Sequence, residues 1–167
     1  LKAYSYLIDN REYKKYLPSS LYGYARTLEN KLAVKDEISK NEVDKIINRY
    51  EKIIDEYPNQ QNSAESRYRI AVLANDHLNK HNLAIEQLNK LISHYPRSKV
   101  TAQGINYLAS IYASMNKLEK ARETYGKVVR QYRNVSPEEN EKALYKLAEL
   151  NYYQGIIDSA KVQFEKV

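Results

Sequence analysis

The sequence contains no cysteine and no tryptophan, and it has only four glycines and four prolines. Without cysteine, disulfide bonds and thiolate metal sites are excluded. So few glycines and prolines argue against a turn-rich β fold and favour long, uninterrupted helices. No run of about 18 apolar residues is present, so the sequence predicts no membrane-spanning helix. The composition therefore predicts an all-α protein.

Tyrosine supplies much of the apolar content, with 17 tyrosines and one phenylalanine in a chain that is 43% hydrophobic. A tyrosine has a large apolar ring and a hydroxyl that must reach water or a partner, so it suits a thin two-layer fold. The net charge of +6 comes from 27 basic and 21 acidic residues mixed along the whole chain. A nucleic-acid-binding protein would be expected to gather its basic residues on one face. The composition therefore favours a solvated, slightly basic surface.

One set of residues recurs along the chain at intervals of 37 to 39 positions. The copies are Asn41, Ile46 and Tyr57; Asn79, Ala84 and Tyr95; Asn116, Ala121 and Tyr132; and Gly155 with Ala160. Repetition at this period indicates an array of helical repeats that forms one continuous unit. We expect an N-terminal helical segment over residues 1–20, repeats over 21–58, 59–96 and 97–134, and a truncated repeat over 135–167.

Each repeat is expected to contain two helices, A and B, that reverse at a single residue. The predicted reversal residues are Asn41, Asn79, Asn116 and Gly155, because Asn and Gly tolerate the left-handed conformation best. The apolar spacing predicts helix A of the first repeat from Leu21 to about Lys40 and helix B from Val43 to Tyr57. In the second repeat it predicts helix A from Ser63 to Leu78 and helix B from Leu83 to Tyr95. The last helix B is predicted from Ile157 to Val167.

Polar residues and prolines mark the expected helix ends. Pro18 is expected to end a preceding helix, with Ser19 or Ser20 as the cap of the next one. Two capping boxes are expected, one formed by Asn62 with Glu65 and one by Ser136 with Glu139. Before Pro18, Asp9–Arg11 is either a turn between two short helices or the middle of one helix.

The pattern of small, aromatic and turn residues resembles the tetratricopeptide repeat from about Leu21 to Val167. In the order of that motif the third repeat offers Leu108, Ala109, Tyr112, Asn116, Ala121, Tyr125 and Val128. The period exceeds the usual 34 residues of the motif, and the turn at Asn79 is one residue longer than the others. The resemblance implies an α-α superhelix of about three and a half to four helical hairpins.

The Tyr-Pro endings at Tyr57 and Tyr95 resemble a subclass of these repeats in bacterial envelope proteins, such as the BamD-like lipoproteins and the TolA-binding proteins. This resemblance implies a segment of a larger bacterial protein. It favours the periplasm or cell envelope over the cytoplasm.

No constellation of catalytic residues is visible, since the sequence has no glycine-rich phosphate loop and no nucleophile elbow. We therefore expect no enzyme activity and no cofactor. His77 and His81 with Asp76 are the one candidate for a metal site. Asn79 should break the helix between the two histidines, and structural zinc would need further ligands, so no metal site is expected.

The resemblance implies a binding groove that is lined by the A helices. Its expected residues are Tyr68, Asn75, Gln103, Asn106, Ser110, Lys142, Tyr145, Lys146, Glu149 and Tyr152. Such a mixture of tyrosine, amide and lysine suits a peptide or a helix of a protein partner. Lys142 and Lys146 lie four residues apart and could bind a carboxylate.

The predicted function is a non-catalytic scaffold for protein–protein interaction, with no nucleic acid as partner. Two alternatives stay open, a structural spacer within a longer solenoid and a basic surface that binds nucleic acid or another anionic surface. Exposed terminal helices are also expected to let the chain self-associate.

Overall fold

The computed structural model describes residues 2–9 and 15–165, and these residues form nine α-helices and no strand. The helices are α1 (Lys2–Asp9), α2 (Leu17–Leu32), α3 (Lys40–Glu56), α4 (Gln61–Asp76), α5 (His81–His94), α6 (Lys99–Ser114), α7 (Leu118–Gln131), α8 (Pro137–Tyr153) and α9 (Ile157–Phe164). The predicted all-α fold is confirmed. None of the helices in the described ranges is both long and apolar enough to cross a lipid bilayer.

The chain divides into two compact units, residues 1–90 and 91–167. In the first unit α2, α3 and α4 pack around one apolar core. The largest contribution comes from α3, which buries Val43, Ile46, Ile47, Tyr50, Ile53 and Ile54 along one side. These side chains follow the spacing of one helical face, so α3 forms because its apolar stripe is buried between its neighbours.

In the second unit α6, α7 and α8 share a core whose close contacts depend on alanine. Ala109, Ala121 and Ala148 are completely buried. Larger side chains fill the space around them, among them Ile105, Tyr125, Val128 and Leu147. The small residues let paired helices approach closely, as the spacing of the repeat predicts.

The predicted chain reversals at Asn79, Asn116 and Gly155 are confirmed. Their φ angles are 54°, 56° and 77°, all in the left-handed region. At Asn116 the following backbone N–H, that of Lys117, donates to the Tyr112 carbonyl at 2.8 Å, which closes the end of α6 in a Schellman-type motif. At Asn79 the Lys80 N–H donates to the Ala74 carbonyl, so the hydrogen-bonded turn is one residue longer than at Asn116.

The prediction for the first repeat was wrong at the reversal. Asn41 lies in the first turn of α3 and not in a turn, and α2 ends at Leu32 and not near Lys40. Ser39 begins α3 with a complete capping box. The Ser39 hydroxyl accepts from the Glu42 N–H, and the Glu42 carboxylate accepts from the Ser39 N–H. A capped helix start of this kind stabilises α3, and it leaves a longer connection over residues 33–39.

Three other helix starts also differ from the prediction. Pro18 does not end a helix but lies in the first turn of α2, where a missing N–H costs nothing. Asn62 lies inside α4, which begins after Gln60 without a side-chain cap. Ser136 precedes α8 as predicted, but its side chain makes no capping bond.

Buried polar side chains at corresponding positions join each helix B to the next helix A. The Ser63 hydroxyl donates to the Tyr57 carbonyl at 2.6 Å, and the Thr101 hydroxyl donates to the Tyr95 carbonyl at 2.6 Å. The Asn140 amide donates to the carbonyl of Val128 at 3.1 Å. Each of these bonds adds a side-chain donor to a carbonyl at the end of a helix that also accepts one backbone N–H.

The N-terminal helix α1 packs against α2 in the first unit. Gly23 makes this contact possible, because a Cβ at that position would lie 2.6 Å from ring atoms of Tyr4. The two alternatives for Asp9–Arg11, a turn or a continuous helix, stay open, because residues 10–14 lie outside the described residues. The end of the predicted last helix, beyond Glu165, also lies outside them.

Candidate partner-binding faces

Two A helices of the second unit, α6 and α8, lie side by side and carry eight of the predicted groove residues. We call these residues the α6–α8 face: Gln103, Asn106, Ser110, Lys142, Tyr145, Lys146, Glu149 and Tyr152. Asn106 and Glu149 are half-buried, and the other six are exposed. The opposite sides of the same helices form the core of the unit, so the helical period separates a packed side from a solvated one.

Asn106 joins the two helices of this face directly. Its side-chain N–H₂ donates at 2.8 Å to both the backbone carbonyl and the carboxylate of Glu139 on α8. Its side-chain oxygen is buried and has no hydrogen-bond partner among the residues that the structure describes. Glu139 was predicted to complete a helix cap, but it binds Asn106 and Lys142 instead.

Both lysines of the face are paired with glutamates of their own helix. Lys142 Nζ lies 2.8 Å from Glu138 and 3.0 Å from Glu139. The hydrogen bond to Glu138, followed by that to Glu139, raises the pKa of Lys142. Lys146 Nζ lies 2.7 Å from Glu149. Such exposed pairs contribute little to stability, so a partner can exchange its own groups for them.

Two exposed tyrosines supply the aromatic surface of the face. Tyr145 is 44% exposed and Tyr152 is 58% exposed. The Tyr145 ring meets the Phe164 ring edge to face at 5.8 Å, and Lys146 Nζ lies 5.6 Å from its centroid. These neighbours restrict the ring of Tyr145, so its apolar surface is held in place before a partner arrives.

The sequence reasoning missed Tyr153, which is 81% exposed and meets the Tyr152 ring edge to face at 5.9 Å. Its place next to Tyr152 was the available signal. It adds a second ring to the same end of α8.

The two predicted groove residues of the first unit, Tyr68 and Asn75, both lie on α4 and are half-buried. The guanidinium of Arg69 lies 5.8 Å from the Tyr68 ring centroid. The Asn75 side-chain oxygen lies 2.7 Å from Nδ1 of His81, and its nitrogen donates to Asp76 at 2.8 Å. Asn75 therefore helps to hold the turn between α4 and α5.

His77 and His81 do not belong to a group of metal-ligating residues. Across the ranges that the structure describes, no three His, Cys, Asp or Glu side chains converge as metal ligands would.

A buried carboxylate in the first unit was also missed. Glu29 on α2 accepts from Arg26 at 2.7 Å, from the Tyr50 hydroxyl at 2.6 Å and from the Arg69 guanidinium. The only sequence signal was the i, i+3 spacing of Arg26 and Glu29, because the other partners come from distant helices. This cluster ties α2, α3 and α4 together.

Comparison with protein families gives three matches to one model, the tetratricopeptide repeat. The matched segments are residues 65–98, 107–134 and 142–167, which together exceed half of the 167 residues. Proteins of this family are in general non-catalytic interaction scaffolds. For this chain the matches support a protein-interaction scaffold in general. The finer resemblance to repeats of bacterial envelope proteins stays a prediction.

Solved structures with the same fold include a crystal structure of MamA, with a TM-score of 0.68 at 19% identity over 99% of this chain and 82% of that one. A MamA structure from Desulfovibrio magneticus RS-1 gives 0.63 at 20% identity over 99% and 81%. The TPR-like repeats of a kinesin light chain from Podospora anserina give 0.61 at 14% identity over 89% and 72%. A comparison with curated protein sequences gave no match. On its three matched segments and its fold, the chain belongs to the tetratricopeptide repeat family.

Proposed function

We propose that the chain binds a peptide or a helix of a protein partner on the α6–α8 face. The observation that carries the proposal is the pair of exposed tyrosines, Tyr145 and Tyr152, on α8, whose reverse side is packed in the core. Tyrosine offers a large contact area and loses little side-chain entropy on binding, so it is frequent among the residues that dominate interfaces. Exposed Gln103 and Ser110 add hydrogen-bonding groups beside the rings.

The charges of the face favour a protein partner over a polyanion. Its two lysines, Lys142 and Lys146, are paired with three glutamates, Glu138, Glu139 and Glu149. These carboxylates would repel the phosphates of a nucleic acid. A peptide can instead place its own backbone and side-chain polar groups between the lysines and the glutamates, while its apolar side chains cover the tyrosine rings.

The proposal is tested by affinity capture from a lysate of the native cells, with three forms of the full chain compared. The test variant is Tyr145→Ala with Tyr152→Ala. The control variant is Tyr6→Ala with Tyr16→Ala, which also removes two exposed tyrosines, 59% and 55% exposed, but from the first unit. Circular dichroism first establishes that all three forms fold equally.

We expect a protein that the wild type and the control capture equally and that the test variant captures at least about tenfold less. Truncating a tyrosine that is a binding hot spot costs about 2 kcal/mol or more. Cross-linking through a photoreactive residue at Gln103 should then label the same protein. Equal capture by all three forms, or cross-links that appear only elsewhere on the chain, would contradict the proposal and favour the structural spacer.

A further inference from the structure

A second surface lies in the first unit, between α2 and α3, on residues that the predicted groove does not include. It is a groove of about 310 Å³. We call it the basic groove, and its lining residues are Leu28, Lys31, Leu32, Lys35, Glu42, Lys45, Ile46 and Arg49. On α3 the lining residues follow the i, i+3, i+4, i+7 spacing of one helical face. On the other side Leu28, Lys31 and Leu32 lie on one face of α2, and Lys35 lies in the connection that follows it.

The floor of the basic groove is apolar and belongs to the core of the unit. Leu32 and Ile46 are only 4% and 5% exposed, and half-buried Leu28 packs against the same core. Core packing holds these side chains in fixed positions. The floor can therefore contact one apolar side chain of a partner. The volume of the groove lies at the low end of the range for ligand pockets.

The rim of the groove is strongly positive, with four cations and one carboxylate. The carboxylate, Glu42, is already engaged, because it accepts a hydrogen bond from Lys35 and also caps α3 at Ser39. The bond from Lys35, followed by that from Ser39, lowers the pKa of Glu42.

The other three cations have no acidic partner. In residues 2–9 and 15–165, no carboxylate forms an ion pair with Lys31, Lys45 or Arg49. The Arg49 guanidinium lies over the ring of Tyr24 at 4.8 Å, and Arg49 lines both the basic groove and a neighbouring pocket that includes Tyr24 and Asp9. Asp36 and Glu37, in the nearby connection, do not line the groove.

We propose that the basic groove binds an acidic peptide segment that carries one apolar anchor side chain. The anchor enters between Leu28, Leu32 and Ile46, and flanking Asp or Glu residues meet Lys31, Lys45 and Arg49. Charge complementarity selects this occupant, since three cations that form no ion pair within residues 2–9 and 15–165 line a groove whose floor is apolar. A nucleic acid would satisfy the cations but leave the apolar floor uncovered.

The test selects peptides from a random display library on the full chain and measures the selected peptides individually by fluorescence anisotropy. The groove variant is Lys31→Ser with Lys45→Ser, both at exposed positions that keep the floor intact. The control is Lys99→Ser with Lys161→Ser, which removes the same charge from exposed positions in the second unit. A short single-stranded DNA and vesicles containing phosphatidylglycerol are measured beside the peptides.

We expect a class of peptides with acidic residues beside Leu, Ile or Phe that binds the wild type and the control equally. These peptides should bind the groove variant about tenfold more weakly, and raising the salt concentration should weaken their binding to the wild type. The proposal is overturned if no selected peptide depends on Lys31 and Lys45, or if the dependent peptides lack acidic residues. It is overturned equally if DNA or vesicles show the same dependence, because the groove would then recognise anionic charge alone.

Discussion

The Tyr50 hydroxyl on α3 donates a 2.6 Å hydrogen bond to Oε2 of Glu29 on α2, and both side chains are buried. Arg26 and Arg69 complete the surroundings of that carboxylate. One charged group thus receives donors from three helices. A buried charge is tolerated only when its partners are in place, so this cluster fixes how α2, α3 and α4 meet.

Replacing Glu29 by Gln should lower the free energy of unfolding by about 2 to 3 kcal/mol, because two guanidinium groups lose their carboxylate. Replacing Tyr50 by Phe should cost less, about 1 to 2 kcal/mol, because only one hydrogen bond is lost. Urea denaturation measures both. Glu37→Gln, in an exposed connection, is the control and should stay within about 0.5 kcal/mol of the wild type. A Glu29→Gln protein as stable as that control would show that the cluster does not stabilise the fold.

Thr101→Val should destabilise the second unit by about 1 to 2 kcal/mol, because the Tyr95 carbonyl loses its hydroxyl partner while the side-chain volume is nearly kept. Thr101→Ser retains the hydroxyl and should therefore lose less stability than Thr101→Val. Thermal unfolding of the two variants distinguishes the hydrogen bond from simple packing. If Ser were the more damaging substitution, the methyl group and not the hydroxyl would be the important contact.

Asn116 has a left-handed backbone conformation, with φ at 56°. Asn116→Ala should therefore cost about 1 kcal/mol, since a Cβ without a polar group is strained there, and Asn116→Gly should be neutral or slightly stabilising. Denaturation of the pair gives the difference directly. Equal stability of the Ala and Gly variants would mean that the turn relaxes to another conformation.

Stability should fall at high pH because buried tyrosines must stay neutral. Burial, with a smaller contribution from Glu149, raises the pKa of Tyr125 to about 12, against about 10 in an unfolded chain. The neutral phenol is thus favoured by folding. The contribution of the neutral Tyr125 phenol to the free energy of unfolding is complete below about pH 10. It is lost between about pH 10 and 12, by about 1.4 kcal/mol per pH unit.

Denaturation of the wild type and Tyr125→Phe at a series of pH values from 8 to 11 tests this expectation. The Phe variant should lose stability less steeply above pH 10, although the raised pKa of Tyr22, about 12, leaves it some dependence. Parallel curves for the two proteins would show that Tyr125 does not contribute.

The sequence predicted most of the helices after the first repeat because their determinants are local. The reversals at Asn79, Asn116 and Gly155 each need one residue type, and the repeat displays those residues at a constant spacing. The first repeat misled the prediction because Asn41 matches the spacing but lies inside α3. There the capping box of Ser39 and Glu42 determines where the helix begins. The repeat spacing and the capping box indicate different starts for α3, and the helix begins where the capping box satisfies backbone donors.

The candidate faces could be predicted only in part. Helical spacing was sufficient to place Tyr145 and Tyr152 on an exposed face of α8. It could not show that Glu139 binds Asn106, because that contact joins residues far apart in the chain. The basic groove was missed for the same reason, since Lys31 and Arg49 share one groove only once α2 and α3 have packed.

The buried hydroxyl and amide groups of Ser63, Thr101 and Asn140 have a consequence for how the chain opens. Each of them belongs to the first turn of one helix and binds the last turn of the helix before it. When such a helix frays at its start, a carbonyl at the end of the preceding helix loses its side-chain donor. The ends of neighbouring helices therefore open together, and the amides on both sides of each junction should exchange with solvent as one cooperative group.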